Sequence, residues 1–158
     1  MSFRGILEWV ENELKENRSD TVHDFLAYLA EQMIEMNKAK NGEIKGFLKW
    51  LKREIGTEID TLSNKTAIKE YHEHDFDSLL NVLKKNKNRL SVDLSGRKTQ
   101  ELLEKNFVKS MAILEPVKAN IQATDNLIDQ IIYKLYGLTD EEIATVEGKK
   151  MNSCFGYH

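Results

Sequence analysis

TDNLIDQIIYKLYGLTDEEIATVEG, residues 124–148, decides how the rest of the chain is read. Thr124, Leu127, Ile128, Ile131, Ile132 and Leu135 recur at steps of three and four, which lines them along one helical face. Asp125, Asp129 and Lys134 fall on the other side, and Tyr133 and Tyr136 flank the apolar stripe. Gly137 stops the helix, because glycine adopts the left-handed C-terminal cap at little steric cost. Leu138 is placed to fold back on the last turn. Thr139 with Glu142 three residues on forms a capping box, so a short return helix starts at once.

Working outward, the apolar stripe extends N-terminally through Leu103, Phe107, Ser110, Leu114, Val117 and Ile121. Together with the quoted stretch this covers more than four heptads and predicts a coiled-coil-like seam on a helix beginning at Ser95. Pro116, the single proline, lies inside it and predicts a kink near residues 112–116. Val22, Leu26, Leu29, Met33, Met36, Ile44, Phe47 or Leu48, Leu51 and Ile55 make a second long stripe, closed by Gly56. Its phase survives Asn41-Gly42, which favours one bent helix of about 54 Å at the standard rise; a break at that pair is the alternative. Phe3 to Leu14 predicts a short first helix ended by Asn17-Arg18.

Residues 57–75 are irregular, with Ile59, Leu62, Ile68 and Tyr71 as anchors and Asp75 as the cap of a helix carrying Phe76, Leu79, Leu80 and Leu83. Leu90, Val92 and Leu94 alternate with polar residues, but no second strand exists to pair with them. They read as an extended linker. The fold class is therefore all-α: two long antiparallel coiled-coil-like helices with shorter helices packed at their ends. Residues 1–148 form one helical domain, and 149–158 are a flexible C-terminal tail.

Composition narrows the function classes. The net charge of −3 gives no global attraction to nucleic acid, and a single cysteine, Cys154, rules out an internal disulfide. No apolar run is long enough for a membrane span, and no signal-peptide pattern is present, so a cytoplasmic protein is expected. His72-Glu73-His74-Asp75 is the most metal-like cluster, yet no third ligand follows from spacing and no metal is assigned. Charge is uneven. From Glu8 to Glu35 eight acids face two bases; from Lys84 to Lys98 the bases Lys84, Lys85, Lys87, Arg89, Arg97 and Lys98 face Asp93 alone. Such a stretch either meets phosphates or is a solvated surface.

Ile128-Asp129-Gln130, Tyr133-Lys134-Leu135-Tyr136-Gly137-Leu138-Thr139 and Glu141-Glu142-Ile143 together resemble the C-terminal signature of bifunctional type IIG restriction-modification enzymes and related adenine-specific DNA methyltransferases. HDFLAYLAEQMIEMNKAK (residues 23–40) with Ile44 to Leu48 resembles the helical segment that precedes it. The resemblance runs from Ser19 to Gly148. It gives Ile128, Asp129, Tyr133, Tyr136, Gly137, Leu138, Thr139 and Glu142 structural roles and implies a helical part near the target-recognition region.

The catalytic parts of such enzymes are missing from this sequence. An Asn-Pro-Pro motif is impossible with one proline, and no glycine-rich cofactor loop is present, so no cofactor is expected. Glu43-Ile44-Lys45 has nuclease-like spacing without the partner aspartate. The expectation is a non-catalytic module that positions target recognition and touches DNA backbone at most, through Lys84 to Lys98. The alternative is a protein-interaction module that dimerises or docks on a separate methyltransferase or nuclease subunit. A self-sufficient enzyme finds almost no support in the residues.

Overall fold

The structure, a computed structural model, describes residues 2–155, with side chains through Gly148. It is all-helical, with no strand among the described residues. The helices are α1 (Phe3–Lys15), α2 (Ser19–Ile55), α3 (Lys65–Lys69), α4 (Phe76–Lys85), α5 (Arg97–Leu135) and α6 (Asp140–Phe155). Three single 3-10 turns, Ile59–Thr61, Tyr71–Glu73 and Lys87–Arg89, punctuate the irregular middle. Residues 156–158 and the side chains from Lys149 onward lie outside the described residues; of the expected tail, residues 149–155 continue the backbone of α6. Among the described residues no helix is long and apolar enough to cross a membrane.

Local chemistry explains where the helices stop. Ser2 caps α1 by accepting from the Gly5 amide at 3.1 Å, and Asn17 ends the following turn in the left-handed conformation, φ 59°. Helix α2 runs 37 residues straight through Asn41-Gly42, so its continuous apolar phase prevails over the local turn signal. Helix α5 is continuous through Pro116 but begins at Arg97, not Ser95. The two preceding residues are diverted into a turn in which the Ser95 amide and hydroxyl both donate to Asp93 Oδ1, at 2.9 and 2.7 Å. At its far end Gly137 sits at φ 63°, with the Leu138 amide donating to the Tyr133 carbonyl at 2.9 Å. The Glu142 amide donates to Thr139 Oγ1 at 3.2 Å while the Glu142 carboxylate receives the Thr139 amide and hydroxyl. The stop and the capping box are as the sequence predicts.

The chain divides into two compact units. The first comprises residues 1–34 and 122–158; its core is Val10, Val22, Leu29, Leu127 and Ile131. Half-buried Ile6, Leu7, Phe25, Leu26, Ile128 and Leu135 surround that centre. Leu127 and Ile131 of the predicted stripe are buried, and Ile128 is half-buried. Glu13 is buried against the Arg18 guanidinium, which donates to both its oxygens at 2.6 and 3.0 Å.

The second unit, residues 35–121, holds the larger core. Phe47, Leu51 and Ile55 from α2 meet Leu103, Phe107 and Leu114 from α5, and Ile59, Leu62, Ile68, Tyr71, Leu79, Leu80, Leu83 and Leu94 fill in between. The buried Tyr71 hydroxyl shares a 2.7 Å hydrogen bond with Ser110 Oγ; burial pushes this phenol up to about 12, so it stays protonated. Asn86 is also buried, and its amide clamps Ser63 through both backbone atoms, at 2.9 and 3.1 Å, while donating to the Val82 carbonyl at 2.9 Å. The alternating Leu90–Leu94 segment forms no strand. It lies against the end of α2, where the Ser91 amide and hydroxyl donate to the Ile55 carbonyl at 2.9 and 3.1 Å.

Candidate functional site

The basic residues of the middle segment come from three elements of the second unit. Lys84 and Lys85 are the last residues of α4, Lys87 and Arg89 lie in the 3-10 turn, and Arg97 and Lys98 open α5. All six are exposed. Lys84 and Lys87 line a groove of about 650 Å³ together with Asp93, Leu94, Ser95 and Gln100. Two of the cations have internal partners. Arg89 donates to the Thr61 carbonyl, and Arg97 pairs with Glu101 at 2.6 Å. Among the described residues Lys84, Lys85, Lys87 and Lys98 enter no ion pair.

Asp93, the one acid in this run, is committed to its turn. The Ser95 hydroxyl and amide hold its carboxyl below the usual carboxylate range. The first turn of α5 contains no acid, so Arg97 and Lys98 add to the positive end of its helix dipole. Gln100 also belongs to the groove, with its amide donating to the Leu94 carbonyl at 2.7 Å. Its part, like that of Ser95, is hidden in the sequence, since neither carries charge and the groove exists only once the linker folds against α5.

The residues of the C-terminal signature do not converge on one surface. Tyr133 is buried, Ile128, Asp129 and Leu138 are half-buried, and Tyr136 is 72% exposed. Gly137, Thr139 and Glu142 are exposed and serve the helix stop and restart. His72 and Glu73 acquire a partner that no local pattern announces. Lys118 Nζ reaches the Glu73 carboxylate at 3.0 Å, the His72 carbonyl at 3.1 Å and His72 Nδ1 at 3.4 Å. Burial and the Lys118 charge push the His72 imidazole below its ordinary range. Among the described residues no group of three or more His, Cys, Asp or Glu side chains is placed to hold a metal ion. His72 and Glu73 are instead tied to an ammonium group.

A family described as a domain of unknown function (DUF8810) matches residues 12–132. The chain belongs to this family. The matched span includes all of α2 and the basic groove and stops just short of Tyr133, so the Gly137 stop and the Thr139–Glu142 box lie beyond it. No curated protein and no solved structure matches the chain.

Proposed function

We propose that this chain is a non-catalytic helical module of a cytoplasmic DNA restriction-modification enzyme, a spacer or scaffold near the target-recognition region that contacts DNA backbone only. The observation that carries this reading is the groove at Lys84 and Lys87: its cations are exposed, and its single carboxylate is held by Ser95. Lysines reaching phosphate oxygens release counterions and position a protein without reading bases. The acidic balance of the whole chain keeps such binding weak. The link to restriction-modification rests on the resemblance of residues 128–143, and the absence of catalytic action rests on the single proline and the missing glycine loop.

In the same reading α2 and α5 run antiparallel along a coiled-coil-like seam. Support comes from each unit separately: the start of α2 shares a core with the end of α5, and the end of α2 shares one with the start of α5.

The test is duplex binding measured across a salt series. Lys84, Lys85, Lys87 and Lys98 are changed together to Gln; Arg89 is left intact because it supports the Thr61 carbonyl. Affinity is expected to fall equally for every duplex sequence, with the salt slope reduced by up to about 0.9 for each phosphate no longer neutralised. Unchanged binding by that variant defeats the reading.

The second reading, docking on a separate methyltransferase or nuclease subunit or on another copy, draws on Leu102, Val108 and Ile113. These are 43%, 56% and 46% exposed on α5. A solution mass that rises with protein concentration is its mark.

A further inference from the structure

A second groove of about 650 Å³ opens on the 35–121 unit, and it is built differently from the basic one. Phe76 and Phe107 form its base, with ring centroids 5.7 Å apart. One wall is α5, where Val108, Met111, Ala112 and Glu115 follow the i, i+3, i+4, i+7 spacing of a single helical face. That face is about 10 Å long at the helical rise per residue. The rest of the lining is His72 to Asp75, from the Tyr71–Glu73 turn to the cap of α4.

Two properties of this trough select an occupant. The first is apolar surface left in water. Val108 is 56% exposed beside Phe107, which is only 6% exposed, so whatever lies along α5 gains contact with Val108, Met111 and Phe76. The trough is open along this wall, so a small molecule would remain wetted on one side, whereas a helix lying lengthwise covers both turns. The second is charge. Glu73, Asp75 and Glu115 all line it. The Ser78 hydroxyl and amide keep the Asp75 carboxyl below its ordinary range, and Lys118 does so for Glu73. Lys118 offsets Glu73, and His74 stands beside Asp75; Asp75 and Glu115 are then the rim carboxylates that enter no ion pair among the described residues, while burial and Lys118 lower the pKa of the His72 imidazole.

We propose that this groove docks a short basic amphipathic helix of another protein. Its apolar stripe seats on Phe76, Val108 and Met111, and its Lys or Arg side chains lie over Asp75 and Glu115. This mode of recognition, an amphipathic helix laid in a groove with anchors at helical spacing, is a general one. The inference stands apart from the DNA reading, since it uses a different surface of opposite charge.

The experiment exploits the methionines. The chain contains five, and Met111 is the one in the groove. The protein is labelled at its methionine methyl groups and titrated with a synthetic eighteen-residue helix of Leu and Lys at amphipathic spacing. A counterpart with Glu in place of Lys is titrated in parallel. The Met111 methyl resonance is expected to move with the Leu/Lys helix, and not with the Leu/Glu helix. Asp75→Asn keeps an oxygen for the cap, so D75N/E115K is expected to weaken Leu/Lys binding at least tenfold and to admit the Leu/Glu helix. E115Q alone should give an intermediate loss, and circular dichroism checks that each variant folds. Equal binding of both peptides, or indifference to the rim substitutions, overturns the proposal. So does a Met111 shift that follows protein concentration without peptide, which makes a second copy the occupant.

Discussion

The two units spend the same two helices in different ways. In the 35–121 unit, the C-terminal part of α2 and the N-terminal part of α5 are wrapped by the whole irregular middle of the chain, and fourteen apolar side chains are buried. In the other unit the remaining lengths of α2 and α5 have only α1 and α6 to add, and among the described residues six apolar side chains are buried, Tyr133 and the five of its core. The difference teaches that the irregular segment, which looks least structured in sequence, supplies most of the interior. It brings eight of the fourteen buried residues from Ile59 to Leu94, together with the Asn86 clamp and the Tyr71 hydroxyl. The unit with the cleaner helical pattern is the thinner one, because a stripe on two helices buries little unless other elements cover it.

The largest effect that tests this contrast is a cavity. Leu114 and Ile131 are both 0% exposed. Truncation of either to Ala is expected to cost about 2–5 kcal/mol, and the value within that range depends on how far neighbours collapse into the space. Leu114 belongs to a core of fourteen buried side chains, and Ile131 to a core of five, where a larger share of the surrounding apolar side chains is half-buried and can shift inward. Leu114→Ala should therefore fall nearer the top of the range in urea denaturation, Ile131→Ala nearer the bottom, and the half-buried Ile128 below both. Equal losses at Leu114 and Ile131 would erase the distinction between the units.

A second pair of substitutions compares the same backbone conformation in two settings. Gly56 and Gly137 lie at φ 70° and 63°. A Cβ at Gly137 meets nothing within 4 Å, so Gly137→Ala carries only the left-handed penalty, about 1–2 kcal/mol. A Cβ at Gly56 falls 1.8 Å from Ser91 Oγ, the hydroxyl that fastens the linker to the end of α2. Gly56→Ala should cost clearly more than Gly137→Ala and speed amide exchange at Ser91. Equal melting temperatures for the two variants would show that the linker is not held there.

Helix existence is legible in the sequence because period is a local property. Val22 to Ile55 and Leu103 to Leu135 carry their phase in plain view, and Gly137, Thr139 and Glu142 announce a stop and restart that depend on neighbours within a few residues. The start of α5 is misplaced by two residues in the sequence because Ser95 has two uses, as a helix cap or as the donor to Asp93, and the second prevails once Leu94 is buried. The basic run is legible as charge, but not as a groove, which needs α4, the linker and α5 folded together. Lys118 lies 46 residues from His72, and nothing in composition or spacing joins them. The Tyr71–Ser110 bond is hidden for the same reason: a serine in an apolar stripe reads only as an interruption.

A smaller shift, visible only along a pH axis, belongs to the larger unit. His72 has a side chain 9% exposed and faces Lys118 from α5, Glu73 beside it, and Lys40 and Glu70 at longer range. Its folded-state pKa is lowered, first by burial and then by Lys118, so the unfolded chain binds more protons at pH values just below 6.5. Stability is therefore full above that value and declines as pH falls towards the lowered folded pKa. The carboxylates Glu73, Asp75 and Asp93, whose pKa values are also lowered, lose their contribution further down, below the ordinary carboxylate range. Denaturation midpoints between pH 7 and 5.5 should drop in the parent and flatten in His72→Gln. A parallel decline in both proteins would assign the loss to another group.

The smallest expected effect concerns the residue whose surroundings depart most sharply from its sequence pattern. Tyr133 and Tyr136 flank the same stripe three residues apart, yet the first is buried and the second is 72% exposed. The turn explains this. Helix α5 ends at Leu135, so the Tyr136 ring projects past its last turn, while Tyr133 still belongs to the helix and lies on its covered side. A substitution at an exposed site away from caps and buried pairs usually changes stability by within about 0.5 kcal/mol. Tyr136→Ala should therefore leave the urea midpoint of the isolated chain almost unmoved, whereas Tyr133→Ala should lower it by several times as much. If Tyr136→Ala destabilises the chain as strongly as Tyr133→Ala, and does so more at high protein concentration than at low, the ring is covered in solution by a second copy. The thin unit would then complete its core by association, and the contrast between the two units would be a property of the single chain alone.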